Sequence, residues 1–261
     1  MNAAPACLIG LDEPEIAAIQ NRVKEPLIVH PTLPKILIKD GELFVEATSG
    51  FNMRHVSKVV FHGIFENDLD TLAGLALWGG PCLPNAQAMM DCRLKLPCLV
   101  RALKHTNFGR PHRGFAASGV DYPTDIERVA KWGNWHCGEN KARFEKHWLA
   151  NEPTIIEPYL DGNAVRVVVI GNQHWQINLD GDAWLKSIHH PNACLTEPDH
   201  GLVEDTRSVA NGFGLEIAAN DYIITRDGEP HLLEVNHIPN VTRFPEIWAA
   251  YESYVVEWLA S

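Results

Sequence analysis

Residues 220–240, NDYIITRDGEPHLLEVNHIPN, place two extended apolar runs on either side of Asp227-Gly228. Asp-Gly between such runs signals a tight hairpin, because the two central positions of the favoured turn need φ above zero. An antiparallel return through that turn lays LLEVN beside DYIIT. Alternate side chains of a strand share a face, so Glu234 and Asn236 point one way while Leu233 and Val235 point into the opposite layer. Asp221, at the start of the first run, is then expected to converge with Glu234 and Asn236 at one end of a sheet. Three such groups beside apolar residues need a partner to offset their burial. Hard oxygen ligands suit Mg2+, which takes a few carboxylates and completes its shell with water and phosphate. Taken singly, each has a plain structural role: Asp221 as a turn cap, Glu234 as a strand-edge charge, Asn236 as the start of the HIPN loop.

The rest of the chain narrows the fold to a mixed α/β (α+β) class. ACLIGL, PLIVH and KVVFHGI are short apolar runs bounded by Pro, Gly or charge, and read as buried strands. Between the first two, DEPEIAAIQNRV opens on an Asp cap and keeps apolar residues at helical spacing. Asp40-Gly41 marks a second hairpin. Helices are expected over DLDTLAGLALWGG and from Asn85 towards Lys104, with Pro97 separating two helices in the latter. Beyond a boundary near residue 90, TIIEPYL, AVRVVVIGN, HWQINL and the C-terminal hairpin predict antiparallel strands, interrupted by helices at about 201–213 and 244–260. The division expected is 1–90, then 91–261, the latter split into lobes 91–156 and 157–261.

Charge excludes some partners. The formal net charge is -11 and the pI about 5.6, so a broad surface for nucleic acid or anionic lipid is not expected. No stretch reads as a signal peptide or approaches membrane-spanning length, which predicts a cytoplasmic protein. Six cysteines (Cys7, Cys82, Cys92, Cys98, Cys137, Cys194) without a C-x-x-C pair fit reduced, buried thiols.

EPYLDGNAVRVVVIGNQHW, the C-terminal hairpin and VAKWGNWHCGENKARF together resemble the ATP-grasp superfamily, in the branch of glutathione synthetase, the ribosomal-protein glutamate ligases and synapsin. AKWGNWHCGENK is similar to the glycine- and lysine-containing loop of synapsin. The resemblance covers roughly residues 80–261. It implies a pre-ATP-grasp α/β lobe over 1–90, followed by two lobes whose antiparallel sheets clamp ATP.

Its site residues carry over one by one. Lys95, with Arg93 as its substitute, and Lys131 would contact phosphate; Gly133, Gly138 and Lys141 belong to the loop over the triphosphate, where glycine lets backbone N–H groups approach closely. Glu157 and Tyr159 would offer main-chain groups to adenine, Leu160 would pack on its face, and Asp161 is either a ribose contact or a turn acid. Asp221, Glu234 and Asn236 would hold Mg2+, with Mn2+ as the alternative ion. Arg166 sits in the aliphatic run AVRVVVIG, so its guanidinium needs an anion; the resemblance makes that anion the transferred phosphate, and a structural salt bridge is the other reading. Arg54, Arg110, Arg113 and Arg243 are unranked candidates for a substrate carboxylate, and His189-His190 for a substrate contact.

The activity implied is ATP-dependent carboxylate–amine ligation through an acyl phosphate, with a small-molecule or peptide carboxylate and an amine acceptor as partners and a homodimer or homotetramer as the assembly. A synapsin-like ATP-binding regulator or scaffold is the alternative. The basic pair that glutamate-adding relatives carry after the VVVIG strand is replaced here by QINLDGD, which argues against a glutamate ligase.

Overall fold

The computed structural model describes residues 4–48, 52–109, 111–133, 140–240 and 242–261. The chain opens with β1 (Ala6–Ile9), α1 (Glu13–Gln20) and β2 (Leu27–His30), then a meander of β3 (Ile36–Lys39), β4 (Glu42–Glu46) and β5 (Met53–Val56). β6 (Lys58–Phe61), α2 (Leu69–Trp78) and β7 (Cys82–Leu83) complete a parallel sheet in the order β2-β1-β6-β7. Asp40, at φ 54, and Gly41, at φ 81, make the expected tight turn between β3 and β4.

α3 (Ala86–Arg93) and α4 (Lys95–Ala102) follow. The break between them falls at Leu94, not at Pro97 as expected. Leu94 is extended, and Pro97 sits in the first turn of α4, where its missing N–H has no helical acceptor to lose. α3 spans residue 90 and serves two cores: Ala86 and Met89 pack under the parallel sheet, Ala88 and Cys92 with α4 and with Leu202, Val209 and Phe213.

Two antiparallel sheets come next. β8 (Gly114–Ala116), β9 (Asp121–Trp132), β10 (Lys141–Leu149) and β11 (Thr154–Pro158) form one in the order β10-β9-β11-β8. β12 (Gly162–Ile170), β13 (Gln173–Asn178), β14 (Cys194–Thr196), β15 (Ile217–Thr225) and β16 (Pro230–Asn236) form the other in the order β14-β13-β12-β15-β16, with α5 (His200–Phe213) inserted and α6 (Pro245–Ala260) closing the chain.

The unbroken apolar run in β12 has a simple cause: its sheet is covered on both faces. Ala164, Val168 and Ile170 face the core built with α1 and α6, while Val165, Val167 and Val169 face the one built with α4 and α5. A strand with two buried faces needs no polar alternation. Under the second face Tyr222, fully buried, donates its hydroxyl to Asp205 at 2.9 Å and accepts from Asn220 Nδ2 at 3.0 Å. Cys7, Cys82, Cys92 and Cys98 are buried as expected, Cys194 is exposed, and Cys137 lies outside the described residues. No helix among the described residues is long and apolar enough to cross a membrane.

Candidate active site

The C-terminal hairpin forms as the Asp-Gly signal predicts, with Gly228 at φ 86. Asp221 lies mid-strand in β15 instead of at a strand start, because the backbone is already extended from Ile217. It is in register with Arg166 on β12 and with Glu234 on β16, so arginine, aspartate and glutamate form one row across three strands. Asn236, two residues beyond Glu234 and opposite Ala219, lines the same cavity.

A β-bulge corrects one expectation. The register steps from Asp221↔Glu234 to Tyr222↔Leu232, which leaves Leu233 as the extra residue. Leu232 and Val235 are both in the core, while Leu233, expected in the opposite layer, turns to the cleft. Leu233 therefore lines the cleft beside Glu234.

Arg166 binds Asp221 through two parallel hydrogen bonds, Nε to Oδ1 at 2.6 Å and Nη2 to Oδ2 at 2.8 Å. Burial opposes the arginine charge, and Asp221 more than offsets it, raising the guanidinium pKa. Both oxygens of Asp221 thus already accept a hydrogen bond from Arg166, each keeping further acceptor capacity. Asn236 is 9% exposed, and its Nδ2 has no hydrogen-bond partner among the described residues.

The facing sheet supplies cations. Lys131 on β9 and Lys141 on β10 are cross-strand neighbours. Lys141 Nζ lies 4.0 Å from Glu234, and its pKa is lowered, by burial first and with Lys131 adding to it, against the pull of Glu234. Lys131 pairs with Glu157 of β11, which also accepts from Arg113 Nε at 2.7 Å. Burial alone would raise Glu157; the two cations outweigh it and hold its pKa below the ordinary carboxylate value. Lys95, 7% exposed at the first turn of α4, shares a small cavity with Lys131, Glu157 and Glu234.

Between the sheets runs a cleft with a cavity of ≈ 120 Å³. Its apolar walls are Val129, Tyr159, Leu160, Leu179, Trp184 and Leu233. The Arg143 guanidinium stacks 4.0 Å from the Tyr159 ring, and Trp184 meets that ring edge-on at 6.5 Å. At its charged end, marked by Lys141, Asp221 and Glu234, the cleft opens into a second cavity of ≈ 460 Å³, whose far wall is the loops after β1 and β6.

The structure thus brings together Lys95, Lys131, Lys141, Glu157, Tyr159, Leu160, Arg166, Asp221, Glu234 and Asn236. Gly133, at φ 69, ends the described part of β9's loop; Gly138, with Trp135, His136 and Cys137, lies outside the described residues, as does Arg110. Asp161 is on the surface, paired with Arg226 at 2.6 Å. The Tyr159 amide donates to Glu127 O at 3.1 Å, which leaves its carbonyl as the main-chain group for a ligand.

Several of the arginines are engaged by other groups of the chain. Arg93 pairs with Asp68 and donates to Phe65 O at 2.8 Å, far from any role as a stand-in for Lys95. Arg113 also donates to Gly109 O and Leu232 O, and Arg243 donates to the carbonyls of His189 and His190. Arg54 lies on β5 in the meander. His189 lines the second cavity, while His190 sits between Asp180 and Asp182. Sequence reasoning missed Trp184, Lys186 and His62, all cavity residues; each stands in a loop, where no periodicity marks its direction.

Two antiparallel sheets closing on a cleft behind a parallel α/β lobe define the ATP-grasp fold. No protein-family profile matches this sequence, and no curated protein matches it. Among solved structures, the ATP-grasp ligase PsnB complexed with a phosphomimetic variant of its minimal precursor, Mg and ADP is similar over 99% of this chain and 100% of that one, with TM-score 0.66 and 14% identity. The macrocyclase MdnC bound with precursor peptide MdnA, from Microcystis aeruginosa MRC, is similar over 98% and 99%, with TM-score 0.64 and 14% identity. A D-alanine–D-alanine ligase from Bacillus anthracis complexed with ATP is similar over 99% and 96%, with TM-score 0.64 and 15% identity.

Proposed function

We propose that this chain is an ATP-dependent carboxylate–amine ligase. The observation that carries the reading is the meeting of two charge sets at one end of an apolar cleft: Lys131 and Lys141 on one sheet, and the Arg166–Asp221–Glu234 row on the other. A nucleotide fits that polarity. Its base would lie among Tyr159, Leu160, Trp184 and Leu233, and its triphosphate would run towards the lysines, whose point charges offset phosphate charge.

Asp221, Glu234 and Asn236 suit Mg2+ by donor chemistry, and the unpartnered buried amide of Asn236 fits a side chain that turns its oxygen to an ion. When bound, Mg2+ would neutralise phosphate charge. The Arg166–Asp221 bonds hold that aspartate in one orientation, and Arg166 keeps donors for the oxyanion. Substrate carboxylate oxygen attacks the γ-phosphorus, ADP leaves, and an amine then displaces phosphate from the acyl carbon. Lys131, Lys141 and Arg166 are fixed before reaction, so catalysis is positioning and preorganised charge. Peptide and amino-acid substrates are the classes handled by the similar ligases, and both fall within the proposal.

The test is ADP release across a panel of amino acids and peptides, with mass detection of the condensed product, for wild type and Glu234→Ala. Product formation lost in the variant supports the reading. ATP hydrolysis unchanged in the variant removes the proposed metal set, and nucleotide binding without turnover across the panel favours the scaffold alternative.

A further inference from the structure

Arg113 stands one residue before β8, whose Gly114 pairs with Ile156, so it falls opposite Glu157 on β11. Lys131 approaches the same carboxylate from the other side. It is opposite Ile155 in β9, which puts it diagonal to Glu157 on one face of the sheet. Glu157 Oε1 accepts from Arg113 Nε at 2.7 Å, and Oε2 pairs with the Lys131 ammonium, so each oxygen has its own cation. The other two guanidinium nitrogens bind main chain, Nη1 the Gly109 carbonyl at 2.7 Å and Nη2 the Leu232 carbonyl. Leu232 is itself held from behind, since its amide donates to Phe108 O at 2.9 Å. Three anchors from three stretches of chain thus fix the planar fork of Arg113 against Glu157, a geometry that a single ammonium could not reproduce.

The count of charges decides what this cluster offers a ligand. Lys131 lines the nucleotide cleft and the small cavity beside it, and so does Glu157. Alone together, the two would cancel, and a triphosphate reaching them would meet no net attraction. Arg113 changes the sum: two cations around one anion leave a single positive charge over, and of the two cations it is Lys131 that lines the cleft. Burial pushes the Glu157 pKa up, while Lys131 and then Arg113 pull it down and prevail, so the carboxylate is ionised and the cluster keeps this charge at neutral pH.

We propose that Arg113 is a positioning residue for nucleotide binding: held by the Gly109 and Leu232 carbonyls, it neutralises Glu157 and so leaves the charge of Lys131 to the phosphates. This rests on the reading in which Lys131 faces the triphosphate. Arg113 acts through Glu157, and its own anion is supplied by the chain, not by a substrate carboxylate. The effect has a sign. Removing the Arg113 charge weakens the pull on phosphate, removing the Glu157 charge strengthens it, and removing both returns the site to one free cation. A nucleoside without phosphates does not feel these differences in charge, whereas a fault in folding or in the shape of the cleft would weaken nucleoside and nucleotide alike.

The test is the ratio of ATP to adenosine affinity, measured by calorimetry on the full chain with Mg2+ present, for wild type, Arg113→Gln, Arg113→Lys, Glu157→Gln and the double variant Arg113→Gln/Glu157→Gln. Arg113→Gln is expected to lower the ratio about tenfold, Glu157→Gln to raise it, and the double variant to restore the wild-type value. Arg113→Lys keeps the charge beside Glu157 and is expected to lose less than Arg113→Gln. An unchanged ratio in Arg113→Gln, a lowered ratio in Glu157→Gln, or a double variant as poor as Arg113→Gln would overturn the proposal. If Arg113→Gln does not fold, the remaining pair decides: the ratio in Glu157→Gln must exceed that in the double variant. Wild type alone tests the underlying reading, since a chain that binds ATP no better than adenosine has no phosphate site for Lys131 to serve.

Discussion

Replacing Glu157 by Gln removes one charge from a site where three meet. Glu157 is 5% exposed and Lys131 9%, and the Arg113 side chain beside them is 9% exposed. Lys131 and Arg113 would be left as neighbouring, largely buried cations with a neutral amide between them. Removing one member of a buried ion pair costs roughly 3–5 kcal/mol, and solvent screening hardly reduces that here. With a urea slope near 3 kcal/mol/M the midpoint should fall by about 1 M or more at pH 7. The pH dependence gives a second reading. The folded pKa of Glu157 lies below its unfolded value of about 4.3, so its stabilisation is complete above that value and disappears as pH falls through the lower folded one. Wild type and Glu157→Gln should therefore converge in stability below pH 4. Equal urea midpoints at pH 7, or a gap that persists unchanged into acid, would refute the account of this cluster.

Other perturbations probe separate parts. Gly10→Ala should lower stability by about 1–3 kcal/mol, from φ 85 and the approach to the His62 carbonyl, seen as a lower melting temperature. Tyr222→Phe leaves buried Asp205 and Asn220 each short of a partner and should cost about 1–3 kcal/mol by chemical denaturation. Gly228→Ala has free space around it, so only the left-handed turn resists, at about 1 kcal/mol by the same measurement. Arg166→Lys cannot make both bonds to Asp221, and ATP turnover should drop about 10²-fold or more, read as ADP release.

Much of the architecture could be read from local chemistry. Asp40-Gly41 marks its turn because few other pairs accept φ above zero at both positions, Gly228 marks the other because it alone there takes the left-handed region, and the aliphatic run around Arg166 marks a strand buried on both faces. The same run made Arg166 conspicuous as a charge needing an anion, and that anion is Asp221 in a neighbouring strand. What the sequence hid were partners distant along the chain. Nothing near Glu157 announces Arg113 and Lys131 as its counterions, and a register step at Leu233 leaves no mark in a string of apolar letters. His62 ends a strand-like run, and its exposure to a cavity depends on the loop after β1, which only folding brings beside it.

The extra residue in β16 sets how this strand can change over evolutionary time. With it, Leu232 and Val235 can both be inward although they are three apart, and Glu234 keeps its place opposite Asp221. Loss of the extra residue itself would restore plain alternation and leave every partner in place, whereas loss of any paired residue of the strand would exchange inside for outside for every residue on one side of the gap. Length variation should accordingly be confined to the turns of this hairpin and to the bulge at Leu233, while the interval from Glu234 to Asn236 stays fixed even where its side chains drift.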